Sequence, residues 1–141
     1  MPKADRLSPG AVKLLEEKQI AHVATVMRDG SPQVTPVWVD VEPDGSHVLI
    51  NTAEGRIKAN NLMRDPRIAI SVVDAENPYR AVAVRGTIVA RRSEEEGASE
   101  HINKLAKKYR GDDTYRRRAQ DERRIMLRIK PTHVMERGLD R

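Results

Sequence analysis

The chain has 141 residues, a length typical of one domain, and we expect residues 1–141 to form a single domain. It has no cysteine, which excludes disulfides, thiolate metal sites and cysteine nucleophiles. Its net charge of +5 favours an acidic ligand or partner, but with one tryptophan, three tyrosines and no phenylalanine it has few side chains on which nucleic acid bases could stack, so we expect no nucleic acid partner. No apolar stretch has the length of a signal-peptide core or a membrane helix, so we expect a cytoplasmic protein without a membrane partner.

Local patterns along the chain alternate between strand and helix. Ser8 followed by Pro9 predicts a helix start, and Ser93 with Glu96 forms a capping box. Asp29-Gly30 predicts a hairpin turn. In chain order we predict a helix after Ser8, a strand ending at the Asp29-Gly30 turn, a second strand through Val37, Val39 and Val41, a third over 47–51, a basic helix from Arg56, strands over 68–73 and 80–90, a helix from Ser93 to Gly111, a short helix over 114–120 and a last strand over 124–134.

Three features predict how the strands assemble. The near-continuous apolar run at 68–73 predicts a central strand buried on both faces. Gly86 predicts a bulge or a barrel corner in the fifth strand, and Pro131 a bend in the last one. Six strands at short spacing therefore predict a mainly β fold with peripheral helices, arranged as a small antiparallel barrel.

The segment that begins at residue 51 predicts an anion site. Arg56 and Lys58 lie where the basic helix begins, so two cationic side chains and the unpaired amides of the first turn can converge on one phosphate. Asn51, Thr52 and Asn61 add neutral polar groups nearby. A solvated basic helix packed on the sheet is the alternative that the residues leave open.

Four segments, taken in order, resemble the pyridoxamine-phosphate-oxidase-like split β-barrel family and, within it, the F420 (deazaflavin)-dependent oxidoreductases. They are ATVMRDGSPQVTPVWV at 24–39, NTAEGRIKANNLMRDPRIAISVVD at 51–74, VRG at 84–86 and RRIMLRIKPTHV at 123–134. The resemblance implies a homodimer of six-stranded antiparallel split barrels with a flavin or deazaflavin in each of two grooves at the subunit interface. It also implies that the cofactor carries the hydride chemistry and that the protein positions it.

The resemblance implies a role for ten residues. Arg56 and Lys58 would bind the cofactor phosphate, supported by Asn61, while Asn51 and Thr52 would line the ribityl chain and the ring. Four residues of the second strand would contact the polar edge of the ring: Gln33, Thr35, Pro36 and Val37. Tyr79 would reach the cofactor of the other subunit. As a separate hypothesis, Arg28, Lys58 and the neighbouring positive field would also hold the acidic tail of F420, which FMN lacks.

Alternatives remain open for the function and for several residues. The chain is expected to be an F420-dependent reductase of a small-molecule substrate, an FMN-dependent oxidoreductase of the same fold, or a cofactor carrier without turnover. The four histidines have no ligand spacing, so we expect no metal site. The arginine-rich run at 116–124 alternates with acidic residues and predicts a solvated face. Trp38 is expected either to form the floor of a substrate pocket or to pack in the core.

Overall fold

The computed structural model describes residues 2–117 and 119–140, and it contains one antiparallel sheet flanked by helices. The strands are β1 (Ala21–Val26), β2 (Pro32–Val37), β3 (Asp40–Val41), β4 (Val48–Ala53), β5 (Arg67–Asp74), β6 (Asn77–Arg92) and β7 (Arg124–Arg137). The helices are α1 (Pro9–Glu16), α2 (Ile57–Arg64) and α3 (Ser99–Arg110), and a π-helical turn at Glu94–Ala98 precedes α3. The strands lie in the order β2-β1-β5-β6-β7-β4-β3, and every neighbouring pair is antiparallel. The predicted mainly β, antiparallel architecture with peripheral helices is confirmed.

The predicted second strand is broken, so the described residues form seven strands and not six. Val37 ends β2 and Asp40 begins β3, and these two strands lie at opposite edges of the sheet. Between them the main chain turns toward α3. The Val39 N–H donates to the hydroxyl of Tyr109 at 3.1 Å, and the Val39 carbonyl accepts from Lys108 at 2.8 Å. The alternating valines predicted one continuous strand. The side chains that interrupt it lie about seventy residues away in the sequence, so a local pattern does not reveal them.

The central strand β5 is buried on one face only, which corrects the expectation of burial on both faces. Ile68, Ile70 and Val72 are buried, whereas Ser71 and Val73 are exposed. The strand lies between β1 and β6 as expected, but its second face, with Ser71 and Val73, is exposed among the described residues. β4 is instead the strand whose six residues are all buried.

The irregularity predicted at Gly86 is present, and the bend predicted at Pro131 stays a prediction. The pairing of β6 with β7 shifts register between Arg85 and Gly86, where Gly86 lies opposite Pro131. A Cβ at Gly86 would lie only 2.3 Å from the carbonyl oxygen of Lys130, so the two backbones approach too closely there for any side chain. The Thr132 hydroxyl donates to the Arg85 carbonyl at 3.1 Å and satisfies a group that the shifted ladder leaves over.

Helix termini follow the sequence signals, with one exception. The Ser8 side chain accepts from the Ala11 N–H, Ser93 and Glu96 form the capping box, and Gly111 ends α3 with φ of 76°. The short helix expected over 114–120 is wrong for the residues that the structure describes there, which form a loop. The N–H of Tyr115 donates to Asn103 at 2.8 Å, so this loop is held by α3 and not by local helical bonds.

Two apolar clusters stabilise this arrangement. The larger one fills the barrel interior with side chains from α1 and all the long strands, among them Leu14, Leu15, Ile50, Leu127 and Ile129, each less than 2% exposed. The smaller one joins Ile102, Leu105 and Tyr109 of α3 to Trp38 and Tyr115. Within the described ranges, none of the helices has the length and apolar character that a membrane crossing requires.

Candidate functional site

A cavity of about 370 Å³ lies beside the smaller apolar cluster, at the start of α2 and the end of α3. It has the size of a small-molecule site, for which about 300–1,000 Å³ is usual. Its cationic lining residues are Arg56, Lys58, Arg110, Arg116 and Arg124. Its apolar ones are Pro36, Val37, Trp38, Ile102 and Ala106. Asn51, Tyr115 and one carboxylate, Asp112, complete the described wall. The arrangement suits an anion attached to an apolar or aromatic body.

Arg56 and Lys58 enter the cavity from the beginning of α2. Arg56 is the N-cap residue with extended backbone, and Lys58 lies in the first helical turn, so both side chains and the helix amides face the same region. No described side chain caps this helix. Lys58 is 8% exposed and therefore sits in the wall of the cavity and not on an outer helix face. The prediction that these two residues converge on one concave site is consistent with this placement, and the phosphate role itself stays a prediction.

Asn51 is fully engaged by protein groups behind this wall. Its amide nitrogen donates to the Ala98 carbonyl at 3.0 Å and lies 3.2 Å from Nδ1 of His101, while its oxygen accepts from Nε of Arg124 at 2.9 Å. On the far side of the ring, Nε2 of His101 lies 3.1 Å from Asp40. The result is a buried polar chain that runs from Asp40 to the cavity.

Asp40 is the ionised end of this buried polar chain of hydrogen bonds. Burial would raise the pKa of Asp40, but hydrogen bonds from His101, Lys104 and a backbone amide outweigh burial and hold that pKa well below its usual range. The Lys104 ammonium lies 3.0 Å from the same oxygen that faces His101. Asp40 can therefore only accept hydrogen bonds from its neighbours.

Glu122 joins the two arginines that flank the cavity. Its carboxylate lies 3.2 Å from Arg56 and 3.1 Å from Arg124, one oxygen to each guanidinium. Burial would raise the pKa of Glu122, but the hydrogen bond from Arg124 and the positive charges of both arginines hold it below its ordinary value. The Arg124 guanidinium also lies 4.8 Å above the ring of Tyr115.

The predicted site residues divide evenly between the cavity and its surroundings. Those that line the cavity are Pro36, Val37, Asn51, Arg56 and Lys58. Thr52 is completely buried and points with Ile50 into the barrel interior, and the Asn61 amide donates to the Thr25 hydroxyl at 2.9 Å. Gln33 and Thr35 are half-buried on β2, and Tyr79 is 76% exposed at the start of β6. Arg28 is exposed and does not line the cavity. Their contacts with a ligand stay predictions.

The sequence did not reveal how many arginines meet here. Arg124 is 4% exposed and paired with Glu122, so the expectation of a solvated face over 116–124 is wrong for this residue. Arg116, Arg117 and Arg123 are exposed as expected, although Arg116 also lines the cavity. Arg118 of the same run lies outside the described residues. A usable signal was the interleaving of arginine with Tyr115, since aromatic residues are scarce in this chain.

Trp38 combines the two roles that the sequence left open. Its ring stacks on Tyr109 with centroids 5.1 Å apart and meets Tyr115 edge-on at 6.4 Å, and it also lines the cavity. Across the described parts of the chain, no group of three or more His, Asp or Glu side chains is arranged to hold a metal ion.

A profile of the pyridoxamine 5'-phosphate oxidase family matches residues 7–138. The chain belongs to this family. The family resemblance drawn from the four sequence segments is therefore confirmed, and so is the split-barrel fold.

Solved structures of similar proteins cover nearly the whole chain. One described as an F420 reductase is 29% identical, with a TM-score of 0.78 over 92% of this chain and 98% of that one. A conserved hypothetical protein from Mycobacterium tuberculosis is 23% identical, with a TM-score of 0.67 over 97% of this chain and 89% of that one. The heme storage protein HutZ from Vibrio cholerae is 19% identical, with a TM-score of 0.63 over 95% of this chain and 96% of that one. The last two similarities concern the fold alone. The same fold thus occurs in a protein described as a reductase and in one described as a heme storage protein.

Proposed function

We propose that this member of the family is an F420-dependent oxidoreductase, which transfers a hydride from the reduced deazaflavin to a conjugated small-molecule acceptor. The observation that carries the proposal is the convergence of Arg56 and Lys58 on one cavity that three further arginines line. The 29% identity to the structure of an F420 reductase supports the same cofactor.

The residues of the cavity fit a ligand that is both aromatic and anionic. Arg56 offers a planar fork and Lys58 a point charge to a phosphate, beside the amides that open α2. Trp38 and Ile102 provide an apolar wall against which a ring system can pack.

The number of cationic groups favours F420 over FMN. One phosphate is satisfied by Arg56, Lys58 and the helix amides together. Arg110 and Arg116 lie in the same wall and would remain for additional acidic groups, although Asp112 lies 3.2 Å from Arg110 and balances part of this charge. The acidic tail of F420 supplies such groups, and FMN has none.

The chain itself would bind, orient and shield the reacting ring. When bound, F420 would supply the hydride, as cofactors do in this class of enzyme. Trp38 is clamped between Tyr109 and Tyr115 and would give the ring a fixed apolar surface, while Arg124, held by Asn51 and Glu122, would fix the anionic end.

A homodimer belongs to the proposal, because one face of the sheet is uncovered in the single chain. Val34, Val73 and Met135 are 62%, 43% and 52% exposed, and the strand register places them on the same outer face. Exposed apolar side chains on one uncovered face support the homodimer in this proposal. Sedimentation velocity tests this part, since a monomer at micromolar concentration would contradict it.

Fluorescence quenching with F420 and FMN, measured side by side, tests the cofactor. We expect F420 to bind more tightly, and Lys58→Ala to weaken it about tenfold through loss of a charge-assisted contact. The control is Lys18→Ala, which removes the same charge from an exposed site that does not line the cavity. Tighter binding of FMN would move the assignment to an FMN-dependent oxidoreductase, and equal affinities of the two variants for F420 would remove the phosphate role of Lys58. Tight F420 binding without reduction of any conjugated acceptor would indicate a carrier.

A further inference from the structure

The orientation of the Asn51 side chain is fixed by its neighbours. The Ala98 carbonyl can only accept a hydrogen bond and Nε of Arg124 can only donate one, at 3.0 Å and 2.9 Å respectively. Exchange of the amide oxygen and nitrogen of Asn51 would therefore place like groups together on both sides. The amide nitrogen must face Ala98 and His101, and the oxygen must face Arg124.

The same logic fixes the proton on the ring of His101. The Asn51 amide donates toward Nδ1, so Nδ1 accepts, and a neutral ring then carries its proton on Nε2. The ionised Asp40 oxygen, 3.1 Å from Nε2, accepts that proton's hydrogen bond. The Nε2–H of His101, the amide nitrogen of Asn51 and the Nε–H of Arg124 thus each meet an acceptor. His101 and Asn51 are both buried, at 7% exposure each, so these bonds form away from water.

At the cavity end, this chain of bonds holds one edge of Arg124. The described contacts of the guanidinium use Nε toward Asn51 and Nη1 toward Glu122 and Tyr115. Because these two nitrogens are engaged, the protein itself sets the plane of the Arg124 guanidinium before any ligand binds.

We propose that His101 is a positioning residue, which acts through Asn51 to hold the guanidinium of Arg124 in the orientation that binds an anionic group in the cavity. The inference rests on the proposed function for the identity of that anion, but its geometry concerns any phosphate-like group. His101 does not line the cavity, so it would act without touching the ligand.

A double-mutant cycle with pyrophosphate as the probe tests this inference without F420. Binding is followed by NMR through the amides that open α2. We expect His101→Leu to weaken pyrophosphate about tenfold, because the Asn51 amide nitrogen then loses one of its two acceptors and Asn51 holds Arg124 less firmly. His101→Gln, which retains one donor and one acceptor, is expected to stay within about threefold of the parent protein. In an Arg124→Gln background, His101→Leu should change the affinity less than twofold.

A merely structural role for His101 predicts a different pattern. His101→Leu would then lower the unfolding temperature, and it would weaken pyrophosphate binding by the same factor in the parent protein and in the Arg124→Gln background. This outcome would overturn the inference. Absence of any pyrophosphate binding by the parent protein would overturn it as well. If His101→Leu does not fold, long-range ¹H–¹⁵N NMR on the parent protein decides instead, because a proton found on Nδ1 contradicts the assigned hydrogen bonds. Pyrophosphate coupling without F420 binding would refute the proposed cofactor and leave the positioning role standing.

Discussion

Removal of one hydroxyl group, in Tyr109→Phe, is expected to destabilise the protein by about 2 kcal/mol. The buried Tyr109 hydroxyl donates to the Gln19 carbonyl and accepts from the Val39 N–H at 3.1 Å. Phenylalanine keeps the ring, its volume and the stacking on Trp38, but it leaves both backbone groups without this partner. A buried polar group left unsatisfied costs about 1–3 kcal/mol, and partial relaxation reduces the sum for two such groups.

Urea denaturation followed by Trp38 fluorescence measures this change directly, because the chain contains a single tryptophan and it stacks on the altered ring. We expect a lower midpoint at unchanged slope. Tyr79→Phe is the matched control, since it removes the same hydroxyl from a side chain that is 76% exposed and should change stability by less than about 0.5 kcal/mol. Equal effects of the two substitutions would refute the assigned role of Tyr109 as the group that turns the chain from β2 toward β3.

Two further expectations concern pH and the bulge. Burial lowers the pKa of Lys108 to about 8 and raises the pKa of Tyr109 to about 12. Between about pH 8 and 10.5 the unfolded Lys108 holds a proton that the folded one has released, so its contribution to the unfolding free energy rises with pH; between about 10 and 12 the folded Tyr109 keeps a proton that the unfolded one has lost, so its contribution falls. Urea titrations across this range should show the decline abolished in Tyr109→Phe, and a decline that persists unchanged would contradict the assignment. Gly86→Ala should cost about 2–3 kcal/mol by overpacking against the Lys130 carbonyl, and an unchanged melting temperature in differential scanning calorimetry would mean that the strands are further apart there.

Local chemistry was enough to predict the elements that short sequence signals encode. The caps at Ser8 and Ser93 and the glycine that ends α3 all depend on contacts within a few residues. The same applies to the placement of Arg56 and Lys58 in one wall, because two residues at the start of one helix cannot separate far.

The remainder of the site depends on contacts that no local pattern carries. Arg124 meets Asn51 because β4 and β7 pair in one particular register, in which Asn51 lies opposite Met126 and Ala53 opposite Arg124. The break between β2 and β3 likewise depends on Tyr109 of a distant helix. Charge alternation around Arg124 predicted solvent exposure, but a partner carboxylate and an amide acceptor made burial tolerable.

Cationic side chains outnumber carboxylates in the described wall of the cavity. Five cationic side chains line it; Glu122 pairs with Arg56 and Arg124, and Asp112 pairs with Arg110. Like charges gathered in a concave, partly apolar wall repel one another and lower the stability of the fold, unless something acidic offsets them. Glu122 offsets part of this repulsion from its position between two arginines. An anion that binds here would therefore be stabilised by the cavity and would stabilise the fold in return, by an amount that grows with its concentration relative to its dissociation constant. On this reasoning we predict that an acidic ligand binds here, because the excess of arginine would otherwise lower the stability of the fold.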